Sequence, residues 1–325
     1  MTCPNLSEKR ERRVSVGLLA CALAWLATLA VPLPAQPDPC LNRVIAVNVL
    51  AQNGLLIEGL SAQNFQGKLH GREVEILSAA PFFGPHRVVL VLDASGSMTG
   101  VWKDEISAAK NLLSADQYGS FAMITFSAQV AERIDFAQGR QKISDELTSF
   151  ETPVKSRPYG RTALFDALAA ALDLLRPVQF DDAIFLFSDG GENASKSEHP
   201  GLARTFVGTG VRVFALIPTG YISRGSRTPD QAAGPGWIPD LVAATGGDST
   251  TFEIGNGPTP AFKPTLTQEA TSGFANEIAR SYKLVIKLPE ALNKQHKWNL
   301  QVVDSAGSIN RHLRVVYPEQ LAACQ

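Results

Sequence analysis

The chain has 325 residues, 45% of them hydrophobic and 19% charged, with a formal net charge of −1. That is ordinary globular composition, with room for one large domain and a smaller one. It holds no basic excess that would suit nucleic acid, no acidic tail for a cationic partner, and no internal repeat.

Lys9, Arg10, Arg12 and Arg13 precede an apolar stretch over 14–31, and Pro32-Leu33-Pro34-Ala35 follows it. This pattern predicts a signal peptide over 1–35, cleaved after Ala35, and export to periplasm, cell surface or medium. The alternative is an uncleaved N-terminal membrane anchor, because the apolar stretch is just long enough to span a bilayer. A lipoprotein signal at Leu18-Leu19-Ala20-Cys21 fits less well, since the apolar run continues past Cys21. Beyond Ala35 the chain keeps two cysteines, Cys40 and Cys324. An even pair in an oxidising compartment predicts a disulfide tying the two ends together, with two free thiols as the alternative. By loop entropy such a bridge contributes up to about 5 kcal/mol.

Over 36–85 the pattern is β-rich. A strand is expected over 43–52, with Ile45, Val47 and Val49 on one face. Asn53-Gly54 signals a tight turn that pairs 55–57 back. A helical turn over 60–65 and one or two strands over 68–78 follow. Strand and helix then alternate: strand 88–92, helix 101–113, strand 121–126, an edge strand over 130–136, and helices 140–150 and 162–175. In the last of these, Leu164, Leu168, Ala171, Leu172 and Leu175 share a face. Strand 183–187, a helix near 202–207 and strand 211–217 continue the alternation. A Gly-, Pro-, Ser- and Arg-rich loop is expected over 218–236, long enough to be functional or mobile. A short helix over 238–244, strand 250–254, a linker over 255–264 and a helix over 266–282 come next. Strands over 282–288, 297–303 and 309–317 end the chain. The fold class is therefore α/β: a Rossmann-like, doubly wound, mainly parallel sheet over 86–281. Segments 36–85 and 282–325 are each too small to bury a core, so they are expected to pack together as one sandwich-like β module.

One stretch concentrates the chemistry. The apolar run 88–92 leads into Asp93-Ala94-Ser95-Gly96-Ser97, and a helix follows. In an open α/β sheet that places a site at the carboxyl ends of the strands. Gly160-Arg161-Thr162 stands before the clearest helix, and Ser188-Asp189-Gly190 follows an apolar strand. Two carboxylates (Asp93, Asp189) and three hydroxyls (Ser95, Ser97, Thr162) are thus expected at one end of one sheet. They are hard oxygen donors, suited to Mg²⁺, Mn²⁺ or Ca²⁺ rather than Zn²⁺.

Asp-x-Ser-x-Ser, a Gly-x-Thr-Ala-Leu-x-Asp-Ala-Leu stretch and Ser-Asp-Gly, in that order, resemble the von Willebrand factor type A (VWA) domain and its metal-ion-dependent adhesion site. The resemblance covers roughly 87–282. The flanks resemble the secreted VWFA-related proteins of acidobacteria, with a β segment ahead of the domain and a Tyr-x-Leu strand after it, here Tyr282-Lys283-Leu284. The resemblance implies that Ser95, Ser97 and Thr162 turn hydroxyls to the metal, while Asp93 and Asp189 bind directly or through water. It also implies that an acidic side chain of a partner protein completes the coordination. Arg161 departs from many relatives, which have a second Gly there; its charge weakens metal binding or helps hold an anionic ligand. Arg161 and Glu192 are expected at the partner-binding rim.

The expected function is non-enzymatic, adhesion-type protein binding. A metal-dependent hydrolase is the alternative, and needs a placed general base and a pocket; Glu192 is the nearby carboxylate available. A structural envelope protein with a vestigial site is the third reading. Neither a Gly-x-Ser-x-Gly frame nor a Gly-x₄-Gly-Lys phosphate loop occurs, and the five histidines show no metal-ligand spacing. Trp237 is expected to pack rather than bind.

Overall fold

The computed structural model describes residues 38–151, 160–219, 229–253 and 264–324. The expected signal peptide lies outside them, as does nearly all of the expected linker over 255–264. Among the described residues no helix is long and apolar enough to cross a membrane.

In chain order the elements are β1 (Asn42–Ala51), β2 (Phe65–Leu69), β3 (Arg72–Phe82), β4 (Arg87–Asp93), α1 (Trp102–Ala115), β5 (Ser120–Phe126) and β6 (Val130–Ile134). Next come α2 (Gly139–Ser149), α3 (Leu164–Leu174), β7 (Ala183–Phe187), α4 (His199–Thr209), β8 (Arg212–Thr219), α5 (Pro229–Thr245) and β9 (Ser249–Glu253). The chain ends with α6 (Pro264–Ala279), β10 (Ser281–Lys287), β11 (His296–Lys297), β12 (Asn299–Val302), β13 (Leu313–Val316) and β14 (Gln320–Leu321).

The central sheet has the order β6-β5-β4-β7-β8-β9. All its pairings are parallel except that of the edge strand β6 with β5. The unbroken apolar run in β4 is explained by burial on both faces. Val88, Leu90 and Leu92 pack with α1, α2 and α6, while Val89 and Val91 pack with α3, α4 and α5. Parallel register sets Asp93, the last residue of β4, one step beyond the paired Leu92 and Phe187. The loops after β4 and β7 therefore leave the sheet side by side.

The flanking segments form one antiparallel sheet of order β12-β2-β3-β10-β1-β13, with a two-stranded β11–β14 ribbon beside it. This corrects the expected sandwich. Asn310 N–H donates to Val302 O at 2.9 Å, and Leu313 follows three residues later, so the two edges come together and the single sheet curls over its own core. Val47, Leu69, Leu284 and Trp298 lie in that core. The expected disulfide is present, joining Cys40 and Cys324 across 284 residues with Cα atoms 5.1 Å apart.

Two helix limits also differ from expectation. The helix expected over 238–244 begins at Pro229, inside the expected loop. Its Gly234-Pro235-Gly236 sequence reads as breakers, but Ile238, Leu241 and Val242 anchor the helix on the sheet, and packing overrides local propensity. The helix expected to reach Tyr282 stops at Ala279. Tyr282 belongs to β10 because its ring packs edge-on to Phe65, and its hydroxyl accepts from Leu60 N–H and donates to Ile57 O.

Candidate metal centre

Asp93 ends β4 fully buried. Its Oδ1 accepts from the Ser95 N–H at 2.9 Å, an Asx-type turn that folds the loop back over the strand end. Its Oδ2 accepts from the Ser188 hydroxyl at 2.6 Å, which ties the β4 loop to the β7 loop. The turn brings the Ser95 and Ser97 hydroxyl oxygens to 3.2 Å of each other.

Thr162 is held from the neighbouring loop. Its carbonyl accepts from Asn193 and Ala194 N–H at 2.9 and 3.0 Å, and its N–H donates to Asn193 Oδ1 at 2.9 Å. Asp189 Oδ1 accepts from Gly191 N–H at 2.9 Å. A methyl group built on Gly191 would lie 3.1 Å from Asp189 Oδ1 and 3.6 Å from Thr162 Oγ1. The two oxygens thus share one cradle, and a side chain at 191 would crowd it. Gly96 N–H, in the first loop, donates to Gly160 O. All five predicted site residues therefore stand on three loops that hydrogen-bond to one another.

The electrostatics are unusual. Burial, and then the charge of Asp189, pushes Asp93 up to about 7. Behind it lies Glu105, on the first turn of α1 and fully buried. Glu105 Oε1 accepts from the Asp93 N–H at 2.5 Å, and its Oε2 has no hydrogen-bond partner. Burial, with Asp93 and Asp189 adding their charges, raises Glu105 well above the usual carboxylate range. Among the described residues no Lys or Arg pairs with these three carboxylates. Nor does any group of three or more His, Cys, Asp or Glu side chains stand ready for a metal among them. The candidate set therefore depends on its hydroxyls. Two carboxylates and three hydroxyls, with charge to spare and a cradle between two oxygens, fit a hard divalent cation.

The two expected rim residues differ. Arg161 is exposed. Glu192 is tied inward: its oxygens accept from Phe165, Ala194 and Ser195 N–H groups and from the Ser195 hydroxyl, at 2.7–3.1 Å. It caps the start of α3 and braces the segment that holds Thr162. Trp237 packs edge-on to Phe165 and His199, with centroids 5.0 and 5.3 Å away.

Sequence reasoning missed Ser188 and Glu105. Ser188 was one residue from a predicted ligand. Glu105 carried a signal: it lies on the same helical line as Ala109 and Leu112, a carboxylate on an apolar stripe.

Residues 88–192 match the family model described as the von Willebrand factor type A domain, so the chain carries a domain of that family. Such domains are generally protein-interaction modules. Similar solved structures include the conserved hypothetical protein BatB of Bacteroides thetaiotaomicron. Identity is 16% and the TM-score 0.43, over 59% of this chain and 98% of that one. An aerotolerance-related membrane protein of Bacteroides fragilis gives 17% and 0.43 over the same shares. The PilB minor pilin of Streptococcus sanguinis gives 14% and 0.40, over 62% of this chain and 63% of that one. At these identities and scores the likeness carries nothing about function. No curated protein matches the chain.

Proposed function

We propose that this is an exported, non-enzymatic binding protein. Asp93, Ser95, Ser97, Thr162 and Asp189 hold Mg²⁺, or Mn²⁺ or Ca²⁺ in its place, and an acidic side chain of a partner protein completes the coordination. The observation that carries this reading is the pair of carboxylates at adjacent strand ends with no basic partner among the described residues; burial, and then the charge of Asp189, pushes Asp93 up to about 7. A divalent cation offsets that repulsion, and the neutral hydroxyls leave it electrophilic toward an incoming carboxylate. Arg161, exposed beside Thr162, adds a positive charge on the side an acidic partner approaches. Export is supported by the N-terminal sequence pattern and by the Cys40–Cys324 bridge. Domain limits near 36–85, 86–281 and 282–325 go with this reading.

Hydrolysis is disfavoured because the one candidate base, Glu192, is engaged by three backbone N–H groups. The test is a melting curve of the full chain in Mg²⁺ and in EDTA, together with Asp93→Ala. At a cation concentration one hundred times Kd, the wild type should gain about 3 kcal/mol of stability by mass action, and the variant nothing. A partner should then be captured in Mg²⁺ and released by EDTA. Equal melting shifts in the two proteins would sink the assignment.

A further inference from the structure

Far along the chain from the loops just described, a histidine in the β2–β3 turn and one on β11 bring ring nitrogens together. His70 Nε2 and His296 Nδ1 lie 2.9 Å apart, with the rings nearly perpendicular at 87°. The residues are 226 positions apart in sequence, which is why no ligand spacing was legible. His70 Nδ1 is held at 2.9 Å by Glu290 Oε1, and Arg72 anchors the other Glu290 oxygen at 3.0 Å. The side chains of His70 and Glu290 are about two-fifths exposed, so the pair opens to solvent.

We propose that His70 and His296 chelate a late transition-metal dication, Cu²⁺ or Ni²⁺, with water in the remaining positions. Three features support this. First, imidazole nitrogens bind such metals at about 2.0–2.1 Å, so two nitrogens at right angles around one metal stand about 2.9 Å apart, and two in a tetrahedral site about 3.4 Å. The observed separation is that of adjacent corners of a tetragonal site, which suits Cu²⁺ or Ni²⁺ better than Zn²⁺. Second, a carboxylate on the far nitrogen of His70 orients the ring and fixes its tautomer, the usual support of a metal-binding histidine. Third, His70 sits at a turn position that Asn or Asp more often fills. With Gly71 it forms the two-residue β2–β3 turn, both residues having positive φ (51° and 78°). Asn-Gly or Asp-Gly is the favoured pair for such a turn. Histidine tolerates the left-handed region better than most residues, and here that conformation aims the ring at His296. The site is chemically separate from the oxygen-rich centre, since Mg²⁺ prefers carboxylates and Cu²⁺ or Ni²⁺ prefers imidazole.

Calorimetric titration of the untagged full chain with Ni²⁺ tests this, with Cu²⁺ paramagnetic resonance as the second readout. One site per chain is expected, with a two-nitrogen signature. His70→Asn should weaken Ni²⁺ binding at least tenfold while keeping the metal-free melting temperature or raising it, because Asn suits the turn. His296→Ala should weaken binding to a similar degree, and Glu290→Gln roughly tenfold. His312→Ala should bind as wild type. No Ni²⁺ binding by the wild type would overturn the proposal and leave a plain hydrogen bond. So would unchanged affinity in His70→Asn, which retains every other histidine and cysteine.

Discussion

Two clusters of buried and half-buried carboxylates lie at different places on the central sheet, and their surroundings are opposite. Near the amino ends of the strands and at the join with the flanking sheet, acids meet arginines. Asp181 pairs with fully buried Arg212 at 2.5 Å, Asp182 with Arg87 at 2.6 Å, and Asp248 with Arg314 at 2.6 Å. Arg212 also donates to Asn48 of β1 and to the Glu277 carbonyl of α6, so this seam fastens the two sheets together. At the carboxyl ends, Asp93, Asp189 and Glu105 gather with hydroxyls and backbone amides only. Charge burial is costly unless paired. The chain thus supplies its own cations where the acids hold the fold together, whereas among the described residues no Lys or Arg pairs with the acids at the carboxyl-end loops. On the function proposed above, a cation from solution takes the place that arginine fills in the first cluster.

The contrast is most severely tested at the seam. Asp181→Ala leaves Arg212 buried without its counter-ion, and about 3–5 kcal/mol of stability should be lost in urea unfolding. A loss within experimental error would show that the seam is not what separates the clusters. Next in size is a pH effect at the other cluster. Asp93 binds its proton more tightly folded than unfolded, so in EDTA its share of stability should fall as pH rises from about 4 to about 7, then level off. The ceiling is roughly 4 kcal/mol. Glu277, raised to about 8 chiefly by burial, falls in the same direction. The measurement is therefore the wild type minus Asp93→Asn, which keeps the Glu277 share in both and reports Asp93 together with its effect on Glu105. Adding Mg²⁺ should flatten the difference; a difference that rises with pH would reverse the reading. The smallest effect belongs to Arg161→Gly. An exposed cation acts weakly through water, so Mg²⁺ affinity should tighten by less than about fivefold, worth 1 kcal/mol or less, while capture of an acidic partner weakens. Calorimetry with Mg²⁺ alone separates the two effects.

Much of the parallel sheet was legible because burial on both faces leaves continuous apolar runs such as Val88–Leu92, two of them followed by loops rich in Asp, Ser and Gly. The flanking sheet was harder to read. Its strands alternate, as β10 does, and its order β12-β2-β3-β10-β1-β13 interleaves the two ends of the chain. Pairing both ends was readable from the lack of a core in either; the single sheet was not, because it depends on pairings between strands far apart in sequence, such as β3 with β10 and β1 with β13. The start of α5 at Pro229 was hidden by residues that ordinarily break helices.

Taken alone, the sequence determined the alternation of strand and helix, the oxygen chemistry of the three loops and the parity of the cysteines. These are local properties, written in periodicity, residue type and count. Only the tertiary structure decided that Glu105 stands behind Asp93, that Glu192 turns inward, and that His70 meets His296. Each depends on residues distant in sequence, or on the direction of a side chain, and one chain read in order contains neither.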